Sequence, residues 1–399
     1  ASGARTEANV MKTSHWTVGA WSLRIWAVAL GLAATTTALQ AADPCPTQCA
    51  TGKVPLGVAV PLTGAVAAFG KPAAKAVEIA VADINGAGGL LGVPVEPVVA
   101  DDRCDAGMAS TVVKRHVESN VRFVIGPICP LVAMDAAPGY ASSGIIQFVP
   151  TVTTVELTQN NPNTVFRMIA NDEQAAQALA TYLAREQPGK KVAVVFGEFF
   201  YRRAEAKLID AALPPQQKVL VHMESLPDVS GAYDRLADKL QKNAPDIIYM
   251  ALDVQQASEF IAKLRERGIK ALLMGGQQLL AAGFWRGFRD KAEGIQIIAP
   301  IDSLNDPNYL KAVAQLQKAD IIPDIVSLSN IAAVQTFAEA VRRAGSGDPS
   351  AVVAQLRAVT FDTAIGKVAF DARGDQRDLQ YSILTWKNGT VVPGLPWQK

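Results

Sequence analysis

The stretch Ile84-Asn85-Gly86-Ala87-Gly88-Gly89-Leu90-Leu91-Gly92 is followed by an apolar run, Val93 to Ala100, that ends in Asp101-Asp102. Glycines at this density permit positive φ at a helix C-terminus and a tight turn back into a strand. Upstream, Val54 to Val60 is a continuous apolar strand, and Ala74, Val77, Val81 and Ile84 recur at helical spacing within Lys71 to Ile84. Downstream, Arg122 to Ile125 is a strand closed by Gly126-Pro127, and Ile145 to Val149 one closed by Pro150-Thr151-Val152-Thr153. Short buried strands alternating with helices indicate a parallel sheet covered on both faces. Ligands of such sheets sit at the carboxyl ends of the strands. That rule puts Cys129-Pro130 and Thr151-Val152-Thr153 in one crevice.

The alternation resumes after Asn171, with helices expected at 174–185, 203–213, 233–242 and 254–267. Between and after them come strands at 191–196, 219–226, 246–252, 271–274 and 295–299. This is a second doubly wound unit, so the fold class is α/β with two parallel sheets. Helices at 309–317, 329–344 and 350–359 follow.

A chain of 399 residues, 49% hydrophobic and 19% charged, is long enough for two ordinary globular domains. Its formal charge of +1 offers no electrostatic case for nucleic acid. Met11-Lys12 and Arg24, the apolar run Ile25 to Ala34 and the small residues Ala38 to Ala42 read as a secretory signal starting at Met11 and cleaved near Ala41-Ala42. Residues 1–42 are therefore set apart from the fold. All four cysteines, Cys45, Cys49, Cys104 and Cys129, lie beyond that signal, and an even number in an oxidising compartment favours disulfides. A metal site at Cys45 and Cys49 is the rival reading, but His116 and His222 lack ligand spacing. There is no Gly-x-Ser-x-Gly, His-Glu-x-x-His or Gly-x-x-x-x-Gly-Lys motif. No catalytic residue, metal or cofactor is expected, and the strand-end pair Asp101-Asp102 is explained by turn chemistry.

An ordered series of features resembles the leucine/isoleucine/valine-binding proteins, the type I periplasmic binding proteins of ABC importers. The series comprises the Asn85 to Gly92 run, Asp101-Asp102, Cys104 with Cys129, Thr153 followed by Glu156-Leu157-Thr158, Phe166-Arg167, Tyr201, Asn330 to Gln335, and Phe370-Asp371 through Trp386. The resemblance implies two lobes, 52–171 plus 301–378 and 172–300 plus 379–399, joined by three crossovers near Asn171, Pro300 and Asp378. It also implies a monomeric periplasmic protein that closes on a small solute, an amino acid or small carboxylate, and delivers it to a membrane permease. A free sensor reporting to a separate signalling partner is the alternative, since the same module serves in receptors. The resemblance pairs Cys104 with Cys129, leaving Cys45 with Cys49. Closing a loop of roughly 26 residues contributes about 3.5 kcal/mol in the chain-entropy description.

Thr153 falls where the resembled proteins bind the ligand's carboxylate and amine, with Thr151 and Val152 beside it. Thr153 or Thr154 also stands at capping distance from Glu156. Phe69 and Tyr201, each expected in a loop after a strand, match aromatic residues that cover the solute. Three positions depart from the resembled pattern. Pro130 replaces a serine that binds carboxylate, Gln277 an acidic residue that binds ammonium, and Asp253 an aromatic residue. Asp253 either restores a negative charge or caps a helix starting at Val254. The missing donor and counter-ion would each cost about 1.5–3 kcal/mol, which argues against leucine in its usual pose. An amino acid in another pose, an aromatic or aliphatic carboxylate, or an uncharged solute are the ligands that remain.

Overall fold

The computed structural model describes residues 52–396, apart from 162, 198, 216, 218–223, 227–230, 281–283, 285–288, 301–305 and 389. The signal segment and the Cys45–Cys49 pair lie outside the described residues. Five parallel strands form the first sheet in the order β2-β1-β3-β4-β5: β1 Val54–Val60, β2 Val95–Asp101, β3 Phe123–Ile125, β4 Ile146–Val149 and β5 Val165–Arg167. The helices between them are α1 Ala67–Gly86, α2 Ala109–Glu118, α3 Pro130–Ser142 and the short α4 Glu156–Asn160.

The quoted glycine stretch works as a helix-to-strand hinge. Asn85 at the end of α1 donates to Val95 O at 2.9 Å and accepts from Val95 N at 2.8 Å. Gly89 takes φ +84°, and a Cβ there would lie 2.4 Å from Val93 O. Only glycine fits that turn.

The second sheet has seven strands in the order β14-β13-β10-β9-β8-β6-β7: β6 Val192–Gly197, β7 Glu224–Leu226, β8 Ile247–Ala251, β9 Leu272–Gly275, β10 Gln296–Ala299, β13 Ser382–Lys387 and β14 Thr390–Pro396. Its helices are α5 Asp172–Glu186, α6 Phe200–Ala212, α7 Ala232–Asn243 and α8 Val254–Glu266. The core shows period-2 alternation along each strand. Ala193, Val195, Ile248 and Met250 pack on one face, and Val192, Val194, Ile247 and Tyr249 on the other. Both faces are buried, which explains strands that are apolar throughout. The sheet is not wholly parallel as expected, because β13 runs antiparallel to both β10 and β14. β13 is placed by its pairing with β10, and β14 adds to it at the edge.

After β10 come α9 Pro307–Lys318, α10 Ile325–Ala344 and α11 Pro349–Ala358, then the hairpin of β11 Phe361–Thr363 and β12 Gly366–Val368. Their apolar residues, among them Leu316, Ile331, Phe337 and Leu356, share one core with Leu56, Val58, Val77 and Phe123 of the first sheet and α1.

Beneath the end of β5, Arg167 and Asp375 are fully buried and joined at 2.8 Å. Arg167 also donates to Val152 O, to Thr154 O at 2.9 Å and to Thr158 Oγ1 at 2.9 Å. Asp375 accepts further from Thr158 Oγ1 and from Asn171 Nδ2, each at 3.0 Å. Asp375→Ala would leave the guanidinium buried without its counter-charge, at a cost of about 3–5 kcal/mol. Urea unfolding should show a lower midpoint with an unchanged slope, the product of slope and midpoint shift equal to that loss; an unshifted midpoint would show that removing the counter-charge costs no stability.

Candidate functional site

A cavity of about 220 Å³ lies where the carboxyl ends of the two sheets face each other. One wall consists of Pro61, Val66, Phe69, Ile128, Cys129, Pro130, Thr151 and Thr153, all on the first sheet's side, with Ile325 and Val326 of α10 added. The other consists of Tyr201, Arg202, Asp253, Val254, Gln277 and Gln278, and Ile169 lies between. A larger groove of about 540 Å³ sits at the amino ends of β8 and β9, the opposite side of that sheet. Its Lys190 pairs with Asp246, and its Arg267 with Asp234 and Asp238. That is surface chemistry.

Seven of the eight residues expected at a ligand line this cavity: Thr151, Thr153, Phe69, Tyr201, Pro130, Asp253 and Gln277. Val152 does not. Its side chain is fully buried among Ala133, Val149 and Leu157, and its carbonyl accepts from Arg167. Alternation along an extended segment turns Val152 inward where Thr151 and Thr153 turn outward. Phe69 and Tyr201 stand in the first turns of α1 and α6, not in loops. Both helices begin closer to the preceding strand than expected, so helix starts build the wall.

Cys104 and Cys129 are joined by a disulfide with Cα atoms 5.5 Å apart. Cys129 precedes α3, and Pro130 is its first residue. Pro130 contributes neither hydroxyl nor N–H to the cavity. Neither Thr153 nor Thr154 caps α4, whose N-cap is Val155 with no side-chain bond. Arg167 holds the carbonyls of Val152 and Thr154, so the threonines stay outside the helix.

On the second wall Arg202 is the residue that sequence reasoning missed. It donates from Nε and Nη2 to Asp253 Oδ1 at 3.1 and 2.9 Å, and from Nη1 to Glu205 Oε2 at 2.8 Å. Tyr249 donates to the other Glu205 oxygen at 3.1 Å. An arginine in the first turn of a helix opposes the helix dipole. Finding Arg202 there, three residues before Glu205, was the available signal. Burial disfavours its charge, but Glu205 and Asp253 outweigh burial and hold its pKa above the ordinary value. Asp253 stands at the N-cap of α8, where Gln256 accepts from its N–H at 3.3 Å. Its carboxylate faces Arg202 and receives Tyr201 Oη at 3.4 Å.

Gln277 donates to Ala170 O at 3.2 Å, which orients its amide and leaves Oε1 buried with no partner among the described residues. Thr151 donates to Ile128 O at 2.9 Å. Thr153 bonds to Asp172, the first residue of α5. Burial and then Glu205 push the Asp172 carboxyl up to about 7, against the opposing pull of Thr153, Arg202 and Arg167.

The folded protein therefore holds a proton that the unfolded chain releases near pH 4. Between about pH 4 and pH 7 the native state binds more protons, so this group makes stability fall as pH rises through that window. Asp172→Asn should flatten the fall of Tm across it, measured by thermal unfolding in a pH series; an unaltered slope would assign the titration to another group.

A family profile described as periplasmic binding protein matches residues 53–390. The chain is similar to "Leu/Ile/Val-binding protein homolog 3" of Brucella melitensis, 29% identical over 341 residues, covering 85% of this chain and 93% of that protein. It is also similar to the leucine-, isoleucine-, valine-, threonine- and alanine-binding protein of Pseudomonas aeruginosa, 26% identical over 339 residues, covering 84% and 90%. The crystal structure of an ABC transporter substrate-binding protein from Desulfitobacterium hafniense matches with a TM-score of 0.74 at 25% identity, covering 86% of this chain and 99% of that one.

Proposed function

This chain belongs to the periplasmic binding protein family, and we propose that it is the substrate-binding protein of an ABC importer, capturing a small solute in the periplasm and passing it to a membrane permease. The observation that carries this reading is the cavity between the carboxyl ends of two sheets, walled by both and of a size for a solute such as an amino acid or a small carboxylate. The proposed moving bodies are residues 52–171 with 301–378 and 172–300 with 379–399, closing about chain passages near Asn171, Pro300 and Asp378. Capture and release require no bond-making, and no catalytic role is assigned to any residue.

In this reading Thr153 and Thr151 meet the solute's polar end from the first lobe. Gln277, Asp253 and Tyr201 meet it from the second, while Phe69 and Pro130 close the apolar side. Two relatives carry leucine, isoleucine and valine in their names. Pro130 and Gln277 nevertheless remove a donor and a counter-ion, so leucine should bind at roughly tens of micromolar or weaker.

The test is a thermal-shift panel of amino acids, small carboxylates and amides. A solute at 100 times its Kd should stabilise the protein by about 2.7 kcal/mol. No shift with any compound would sink the solute-binding reading. With a solute in hand, Thr153→Val should weaken binding by about 1–3 kcal/mol while the fold survives. Unchanged affinity by calorimetry would leave Thr153 a structural partner of Asp172.

A further inference from the structure

We infer that the cleft recognises a hydrogen-bond-donating head group, an ammonium or a carboxamide, and that a free carboxylate on the solute weakens binding. This deepens the solute-binding reading above and rests on it.

The polar side chains that line the cavity have mostly spent their donors. Thr151 has committed its one proton to Ile128 O, so only its lone pairs remain. The Thr153 hydroxyl is engaged with Asp172. Pro130 has no donor at all. Gln277 is turned by Ala170 O so that its free atom is the carbonyl oxygen, and the residue is 7% exposed. Asp253 Oδ1 takes both Arg202 bonds, leaving Oδ2 with a 3.4 Å contact to the Tyr201 hydroxyl. These groups are acceptors.

Arg202 is the one cation among the described residues of the cavity wall, and it is already matched by two carboxylates. Arg202, Asp253 and Glu205 together sum to a net charge of −1. An incoming carboxylate would compete with Asp253 for the guanidinium at close range and meet its repulsion. An ammonium or amide N–H would instead find Gln277 Oε1, which no described residue bonds, and Asp253 Oδ2, held only by the long contact from the Tyr201 hydroxyl. A buried acceptor is costly to leave without a hydrogen bond, so a donor on the solute is favoured at this wall.

Three compounds with one side chain separate the head groups: L-leucinamide, L-leucine and 4-methylpentanoate, each titrated calorimetrically into the full chain at pH 7. Leucinamide should bind roughly tenfold or more tighter than leucine, and 4-methylpentanoate most weakly. Gln277→Met, which keeps length but removes the acceptor, should lower leucinamide affinity by about tenfold. Leucine or 4-methylpentanoate binding as tightly as leucinamide would overturn the inference and leave solute binding intact, with the spare N–H groups of Arg202 holding the carboxylate. Binding by none of the three overturns it too, and the thermal-shift panel then decides separately whether the cleft takes a solute of another kind.

Discussion

The buried guanidinium of Arg167 is the constraint on which the cleft depends. It sits at the end of β5 without exposure to water and gathers Val152, Thr154, Thr158 and Asp375 around one charge. A charge so buried is tolerated only when every donor is satisfied and a counter-charge is at hand. Satisfying it fixes the path of residues 152–158, and so directs Thr151 and Thr153 into the cavity. It also fixes the 374–376 turn, where Gly374 at φ +88° accepts from Arg167 N at 2.8 Å. A Cβ at Gly374 would lie 2.0 Å from Val165 O, so the turn requires glycine.

The same knot laces two chain passages between the sheets. Asn171 caps α5 in a reciprocal box with Gln174 while its amide reaches Asp375. Gln174 reaches Gln376 O at 2.6 Å, and Gln376 reaches Met168 O. Segments 168–174 and 375–376 are thus bonded side by side at one small polar cluster. Asp172 stands next to it, bonded to Thr153 on one side and feeling the charges of Glu205 and Arg202 on the other. The cavity's two walls meet electrostatically at that carboxyl.

The two walls are rigid for different reasons. On the first, the Cys104–Cys129 disulfide ties the start of α3 to the end of β2. Behind it His116 is buried, and burial pushes its pKa down to about 4. The neutral ring donates Nε2–H to Val98 O at 3.1 Å, which leaves Nδ1 to accept from Tyr140 Oη at 2.8 Å. Gly57 makes room beside that ring, since a Cβ there would come within 2.8 Å of Val124, 2.9 Å of Val121 and 3.2 Å of His116. On the second wall, the ion pairs among Arg202, Glu205 and Asp253 gain little net stability once desolvation is counted. What they contribute is orientation: Arg202 holds Oδ1 of Asp253, while Oδ2 faces the Tyr201 hydroxyl at 3.4 Å.

Strand and helix succession, the crevice at the strand ends and seven of the residues that line the cavity were legible in the sequence. Each rests on local rules, namely apolar periodicity, turn glycines and the position of a residue relative to the end of its own strand. The side to which Val152 points, the helical settings of Phe69 and Tyr201, the uncapped start of α4 and the antiparallel β13–β14 edge were decided by tertiary contacts. So were the roles of Arg202, Asp172 and Asp375. Arg167 and Asp375 lie 208 positions apart, and Arg202 and Asp253 lie 51 apart. Pairing over such distances is chosen by which buried charges the folded chain must neutralise, and no window of neighbouring residues contains that information.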